Sequence, residues 1–355
     1  MAGPHMGPGG ELSVEWVDEV AGWLVTALVS AKFYLLFSFL FGYSFTLQRA
    51  AAERAGAPFA PRHLRRLTGL FLLGLAHGVL LFPGDVLMIY AVLSLVLFAA
   101  RNMTPRTAVR VASWLIIGTA ACLLTWGLLT VALSEPMRPQ DGTAALHETA
   151  TAYRGDAVSV VQANLRRLRD GLGWNILYSA DMLAAFLVGL AAGRRGLLAD
   201  TTRWRSWMGQ IVVCALPVGL AGSVFMALCR NWPLDERWYH VGSAVGVLTA
   251  PALTAAYVCG LLLLLRTRPG DRIAGVLAGA GRLAVTHYLT QSLVMALLFT
   301  GYGLAWYGRF GTAVLLAGCL ALYAAQLALG GWLSRHVRYG PVEWMLRAMT
   351  LARRP

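Results

Sequence analysis

The chain has 355 residues, of which 57% are hydrophobic and only 13% charged, and its mean hydropathy is +0.60. Because soluble domains carry about 25% charged residues, this composition excludes a water-soluble globule and predicts an integral membrane protein. The formal net charge is +13. The arginines fall in short clusters between apolar runs, which is a membrane-topology pattern and argues against nucleic acid as a partner.

Taken in chain order, the apolar segments predict an all-α fold, a polytopic transmembrane helix bundle with about nine spans. The first element, 14–30, carries Glu15, Asp18 and Glu19 ahead of its apolar residues and is typical of a helix at the membrane interface. A span needs about 20 mostly apolar residues. The segments that meet this requirement are 29–48, 64–82, 84–100, 110–133, 175–196, 207–229, 242–266, 282–304 and 311–334.

The distribution of basic residues predicts the orientation. Of the 30 Lys and Arg residues, 21 lie on the side that contains the C-terminus, and most carboxylates lie on the other side. By the positive-inside rule, the C-terminus is cytoplasmic, and the protein is expected in the inner (plasma) membrane of a bacterium. Nine spans then place the N-terminus outside. An acidic start without a signal peptide suggests that one span precedes Met1, the alternative being a short translocated tail.

This orientation divides the chain into five predicted parts. They are an extracytoplasmic N-terminal segment 1–28, four spans within 29–133, an extracytoplasmic loop 134–174, five spans within 175–334 and a basic cytoplasmic tail 335–355. The loop is polar, and its stretch VVQANLRRLRDGL (160–172) has apolar residues at helical spacing. This spacing predicts a short surface helix.

Four ionisable residues lie inside or at the outer ends of the predicted spans: Lys32, His77, Asp85 and Asp181. A charge in hydrocarbon costs at least a few kcal/mol, so such residues are candidates for function. All four share one depth towards the outer leaflet, where they could meet in one cavity. Structural alternatives stay open: Lys32 could snorkel to the interface, Asp85 could cap a helix and His77 could be a packed histidine. A carboxylate at Asp181 needs a partner.

A second polar group is predicted towards the cytoplasmic side. His287 and Gln291 stand four residues apart and share a helix face, with Arg282 about one turn below. The basic residues at the start of the second span could join them in a cationic mouth suited to phosphates; they are Arg62, Arg65 and Arg66. The alternative is that these arginines only anchor the spans.

Several chemistries have no support in the sequence. It contains no Walker loop, no H-E-x-x-H and no G-x-S-x-G motif. Its five cysteines lie inside apolar stretches without any C-x-x-C pair, so no metal site and no disulfide is predicted.

Three blocks resemble the YeiB-like family of integral membrane proteins, a domain of unknown function. They are KFYLLFSFLFGYSFTLQ (32–48), RRLTGLFLLGLAHGVLLFPGDVLMIYAVLSLVL (65–97), and GRLAVTHYLTQSLVMALLFTGYGLAWYG (281–308) with GPVEWMLRAMT (340–350). That family is distantly similar to transmembrane acyltransferases, including the lysosomal enzyme that acetylates glucosamine ends of heparan sulfate from acetyl-CoA. The chain lacks the family's first span with its Asp-x-x-Arg-Gly motif. The catalytic histidine of the lysosomal enzyme lies ahead of the block that resembles 32–48. Residues 12–31 of this chain contain no histidine.

The resemblance implies an acyl-CoA co-substrate and a sugar, lipid or small-molecule acceptor outside or within the membrane. Under it, the cytoplasmic arginines would hold the CoA phosphates and His77 would be the general base. Asp85 or Asp181 would orient His77, and Lys32 would stabilise the oxyanion. Two alternatives stay open: a transporter or flippase whose pathway contains the buried charges, and a non-enzymatic membrane protein. Membrane lipid is a partner in each case, and a homo-oligomer is left open.

Overall fold

The computed structural model describes residues 15–136, 139–199, 203–231 and 233–352. All regular elements of these ranges are helices, and each of the nine predicted spans coincides with one, which confirms the fold class. Parts of the predicted terminal segments, 1–14 and 353–355, lie outside the described residues. The α-helices are α1 Glu15–Leu24, α2 Lys32–Arg54, α3 Phe59–Leu80, α4 Leu87–Ala99, α5 Pro105–Leu133, α6 Pro139–Arg154, α7 Ala157–Asp170, α8 Leu172–Arg194, α9 Arg205–Arg230, α10 Tyr239–Leu264, α11 Arg268–Gly281, α12 Ala284–Phe299, α13 Thr312–His336 and α14 Pro341–Leu351.

The outer surface of the bundle is apolar. In the described ranges, six helical segments are long and apolar enough to cross a membrane. Large apolar side chains are exposed on them, such as Leu133 (80% exposed), Val213 (74%) and Trp114 (68%). An apolar surface on helices of this length is typical of a protein embedded in lipid. The chain is therefore a membrane protein.

Two of the predicted spans form short helices. α4 has 13 residues and α12 has 16, whereas a full crossing takes about 20. The turn Phe82–Asp85 delays the start of α4 to Leu87, and a break at Arg282–Leu283 separates α12 from the amphipathic helix α11. The ends of such short helices need partners for their free backbone groups within the bundle.

The N-terminal region also departs from one continuous helix. α1 runs into a π-helical turn, Val25–Val29, and the chain breaks at Ala31, whose φ of 69° is left-handed. α2 therefore begins at Lys32. The acidic helix α1 reaches across the bundle, where Asp18 Oδ1 accepts a hydrogen bond of 2.7 Å from the backbone N–H of Ala313 and so caps α13.

The centre of the bundle is the crossing of α2 and α8. Gly42 of α2 lies against the backbone of Phe186, and Gly189 of α8 lies against the backbone of Phe39. The absence of side chains at both glycines lets the helix backbones touch, as small residues do in membrane proteins. Phe186 and its buried neighbours on α2, α4 and α8 form the main apolar core.

We name the two ends of the bundle by their residues. The loop end is the end at which α3 stops at Leu80 and at which α6 and α7 lie; the Arg-rich end is the opposite one, where α2 stops at Arg54 and α3 begins. The predicted loop helix is present as α7, and Asp156 caps it by accepting the N–H of Ser159. Hydrogen bonds from Ser159 lower the pKa of the exposed Asp156 carboxyl below its usual range.

At the Arg-rich end, α14 closes the bundle beneath α12. Glu343 Oε1 accepts the N–H groups of Val285 and Thr286 at 2.8 and 3.0 Å, and its Oε2 accepts the Thr286 hydroxyl at 2.5 Å. The carboxylate thus satisfies the free donors at the start of a short helix, where the helix dipole also favours negative charge. Leu346, on the next turn of α14, packs against Leu70 of α3.

Replacing Glu343 with alanine is therefore expected to lower the stability of the protein by about 1–3 kcal/mol, because partly buried N–H groups at the start of α12 lose their acceptor. The measurement is the thermal unfolding midpoint of the purified protein in detergent. Glu53→Ala is the matched control, since Glu53 forms an exposed ion pair with Arg49 that contributes about 0–1 kcal/mol. Equal shifts for the two variants would contradict the capping role of Glu343.

Candidate functional site

A buried histidine–carboxylate pair lies at the loop end of α3. His77 Nδ1 and Asp85 Oδ1 are 2.8 Å apart, and both side chains are 1% exposed. The turn Phe82–Asp85 folds the chain back so that Asp85, eight residues further on, faces His77. Gly74 makes room for this contact, because a Cβ there would lie 2.5 Å from Asp85 Oδ2.

Further donors fix the Asp85 carboxylate. Its Oδ2 accepts the backbone N–H of Met88 at 2.8 Å, and its Oδ1 lies 3.3 Å from the hydroxyl of Tyr288 on α12. Asp85 therefore caps α4, as one sequence-based interpretation expected, and the same carboxylate also contacts His77. The ring of Tyr288 lies 5.0 Å from that of His77, centroid to centroid.

The second ring nitrogen of His77 is unused. Nε2 is buried and has no hydrogen-bond partner among the described residues. An ionised carboxylate can only accept hydrogen bonds, so a neutral His77 ring beside it would carry its proton on Nδ1 and keep a free lone pair on Nε2. A histidine oriented by a carboxylate and holding a free lone pair is the arrangement of a general base.

Helix α7 covers this end of α3. Asn164 is fully buried and donates to the carbonyl of Val79 at 3.0 Å, two residues beyond His77. Its Oδ1 accepts the Tyr153 hydroxyl, and the Tyr153 ring stacks on Tyr307 at 4.9 Å. The polar loop is thus joined to the turn between α12 and α13, and it closes the pair off from the surface.

The other two predicted residues of this group lie in a neighbouring cluster. Asp181 is fully buried on α8, and its Oδ2 accepts the hydroxyl of Tyr34 at 2.7 Å. Lys32 is 1% exposed and donates to the carbonyl of Thr26 at 3.2 Å. Lys32 therefore does not snorkel to the interface, because the break at Ala31 turns its side chain into the protein.

Within the described chain, no hydrogen bond or ion pair joins His77 or Asp85 to Lys32 or Asp181. The two clusters are linked only indirectly. Tyr90 of α4 donates its hydroxyl to the carbonyl of Tyr34 at 3.0 Å and lies one helix turn beyond Asp85. A single cavity that holds all four residues stays a prediction.

The predicted group near the Arg-rich end is only partly assembled. His287 and Gln291 share a face of α12 that points to α13, where Gln326 accepts from the Gln291 amide at 2.6 Å and donates to the His287 carbonyl at 3.1 Å. Arg282 lies before the start of α12 and is exposed.

The α3 arginines lie elsewhere. Arg62 and Arg65 are partly and fully exposed on its first turns, and Arg66 stacks its guanidinium on Phe41 at 5.4 Å. Helix α14 packs against both α3 and α12. The joint phosphate mouth stays a prediction, and Arg62 and Arg65 are the α3 arginines for which it remains open.

Sequence reasoning missed three partners. Tyr288 follows His287 in the sequence, but neighbouring residues point about 100° apart on a helix, so Tyr288 faces His77 while His287 faces α13. Glu343 could have been noticed in the sequence, because it is one of the few carboxylates on the basic side. No sequence pattern predicts the role of Tyr34, since its pairing with Asp181 depends on how α2 and α8 are rotated about their axes.

Comparison with known proteins shows which proteins the chain is similar to. The profile of a family described as "Protein of unknown function (DUF418)" matches residues 192–353. The chain is 27% identical over 332 residues to the uncharacterized protein YeiB of Escherichia coli K12, an alignment that covers 90% of this chain and 82% of that protein. Residues 192–353 thus match the DUF418 profile, and the chain as a whole is similar to YeiB. The resemblance expected from the three sequence blocks is thereby confirmed.

Two further relatives show the same extent of similarity. The uncharacterized protein YxaH of Bacillus subtilis is 26% identical over 343 residues, covering 94% of this chain and 82% of its own. A 39.9 kDa protein of Bacillus acidopullulyticus is 27% identical over 345 residues, covering 95% and 85%. No solved structure matches. The DUF418 region begins at the end of α8 and holds Tyr288, while the longer alignments also extend across α3 and α4.

Proposed function

We propose that this YeiB-like protein is a membrane acyltransferase that moves an acyl group, such as acetyl, from acyl-CoA to a hydroxyl or amine acceptor. The buried His77–Asp85 pair, with its free Nε2, is the single observation that carries the proposal. The basic residues favour a cytoplasmic Arg-rich end in the bacterial plasma membrane, so the loop end with His77 faces outward.

The chemistry follows from the two ring nitrogens of His77. Nε2 removes the proton from the acceptor O–H or N–H while the acceptor atom attacks the thioester carbonyl carbon. The tetrahedral intermediate collapses, the C–S bond breaks, and the CoA thiolate leaves with the proton that His77 took up. Asp85 holds the ring orientation and stabilises the imidazolium between the two steps.

The donor enters from the opposite end of the same helix. Arg62 and Arg65 stand 15 and 12 residues before His77, which at 1.5 Å per residue is about 22 and 18 Å along α3. Guanidinium groups bind phosphates by paired hydrogen bonds. A donor held there by its phosphates would have to extend its thioester arm along α3 to reach His77.

The direct experiment is an assay for acceptor-dependent release of CoA. The purified chain in lipid nanodiscs is incubated with acetyl-CoA and with sugar-amine or sugar-hydroxyl acceptors, and free thiol is measured with a thiol reagent. Release that requires both protein and acceptor supports acyl transfer. If no acceptor gives release and calorimetry detects no CoA binding, the proposal fails.

The double variant Arg62→Gln/Arg65→Gln is expected to raise KM for acetyl-CoA by about tenfold or more and to leave kcat nearly unchanged. The reason is that a hydrogen bond to a charged group contributes about 1.5–3 kcal/mol to binding. Initial rates across donor concentrations measure both constants. Arg169→Gln is the control, since Arg169 is an exposed arginine on α7 at the loop end. An unchanged KM in the double variant would remove these arginines from donor binding.

A further inference from the structure

Two cations share one region of the loop end without a carboxylate partner. Lys32 is almost fully buried, and its ammonium has the Thr26 carbonyl as its hydrogen-bond acceptor. Arg230, at the end of α9, donates from Nη2 to Ser243 at 2.7 Å and lies 4.5 Å from the ring of Tyr239. Its buried Nε has no hydrogen-bond partner in the described part of the chain.

Thr26 contacts both Lys32 and the residue that follows Arg230. Asn231, which follows Arg230, donates its amide to the hydroxyl of Thr26 at 3.2 Å, and Thr26 is the residue whose carbonyl binds Lys32. Across the described ranges, neither Lys32 nor Arg230 forms an ion pair with an acidic side chain.

The nearby carboxylate does not balance this charge. Asp181 is bonded to Tyr34 through Oδ2, and its buried Oδ1 has no partner among the described residues. The region therefore holds two basic groups and one acidic group. Buried charges in proteins are normally paired, because an unpaired charge in an apolar setting costs several kcal/mol. The excess positive charge indicates an anionic ligand.

An apolar cavity of about 340 Å³ has one end at Leu35, about one turn of α2 from Lys32. Its near end is formed by Leu35, Asp181 and Thr254, and the hydroxyl of Thr254 donates to the carbonyl of Lys32 at 3.3 Å. Its far end is formed by Arg195 and Trp207. From Asp181 to Arg195 the cavity follows α8 for about 21 Å at 1.5 Å per residue, and helices α2, α5, α9 and α10 supply the other walls.

We propose that the cavity and the two cations form one binding site for an amphiphile with a single anionic head group and one long apolar chain. The head group, a carboxylate or phosphate, lies between Lys32 and Arg230. The chain fills the cavity towards Trp207, where it is removed from polar surroundings. This site shares no residue with the His77–Asp85 pair.

The test compares probes that differ only in the head group. The purified full chain in nanodiscs of zwitterionic lipid is titrated with radiolabelled palmitate, hexadecyl phosphate and hexadecanol. Binding of palmitate or hexadecyl phosphate at least tenfold tighter than hexadecanol supports the site, and the better of the two identifies the head group. Equal affinity for the neutral alcohol, or no binding of either anion, overturns it. This comparison needs no variant.

Two variants, one double and one single, then locate the site. Lys32→Met with Arg230→Met is expected to weaken palmitate binding at least tenfold and to leave hexadecanol binding unchanged. Ala255→Phe, which fills the cavity, is expected to weaken both probes. Arg237→Gln is the control, because Arg237 is paired with Asp235 at the same end of the bundle. Palmitate binding at the original affinity in either the double variant or Ala255→Phe would refute the assignment.

Discussion

Replacing His77 with glutamine is expected to lower the rate of acyl transfer by about 10²–10⁴-fold, the usual contribution of a positioned general base. Glutamine is polar and of similar reach, so it can still hydrogen-bond to Asp85, but it cannot take up a proton. Asp85→Asn is expected to lower the rate as well, because an amide does not stabilise an imidazolium as a carboxylate does. The measurement is the initial rate of label transfer from radiolabelled acetyl-CoA at saturating donor.

The control for this series is His147→Gln, since His147 lies exposed on α6. The thermal midpoint of each variant separates loss of chemistry from loss of fold, because Asp85 also caps α4. Near-normal transfer by folded His77→Gln protein would remove His77 from the mechanism, whatever the effect of Asp85→Asn.

Replacing Gly42 or Gly189 with alanine is expected to have the largest effect on stability. A methyl group at either position would overlap with a backbone carbonyl of the opposing helix, that of Phe186 or Phe39. Helix backbones cannot move aside as a flexible side chain can, so α2 and α8 would have to separate. Overpacking of this kind costs about 1–3 kcal/mol or more. Size-exclusion profiles and thermal midpoints of the detergent-purified variants measure the loss.

Matched glycines in open surroundings test the explanation. Gly118 of α5 and Gly209 of α9 are also helical, and a Cβ at either would meet no atom within 4 Å. Alanine stabilises a helix interior by roughly 0.5–1 kcal/mol relative to glycine, so these two variants should be as stable as the parent or slightly more so. If all four variants behaved alike, close contact between α2 and α8 would not explain the glycines.

Most of the fold could be predicted from the sequence, because lipid-facing helices must be long and apolar. The predicted spans 29–48 and 175–196 correspond to α2 and α8, and most of their boundaries agree within a few residues. The short helices were harder to predict. The apolar run 282–304 contains no proline to mark its break, and the length of α12 depends on Glu343 of a distant helix to cap its start.

The candidate site could be predicted only as a set of residue types. His77 and Asp85 are close in sequence and separated by one turn, so a local turn brings them together. The partners of Asp181 and Lys32 depend on helix rotation and on the break at Ala31, which no periodicity reveals. Arg230 appeared in the sequence as one of several arginines at span ends, and only its contact with the Thr26 region shows that it lies beside Lys32.

The most direct measurement uses vesicles that separate donor from acceptor. Proteoliposomes are loaded with radiolabelled acetyl-CoA and placed in a solution of glucosamine, which serves as the external acceptor. The proposal predicts that free CoA accumulates inside and labelled acetylated acceptor appears outside, and that vesicles with the His77→Gln variant show neither. If the parent protein consumes no more internal acetyl-CoA than the variant does, and no label reaches the acceptor, the protein is not the acyltransferase proposed.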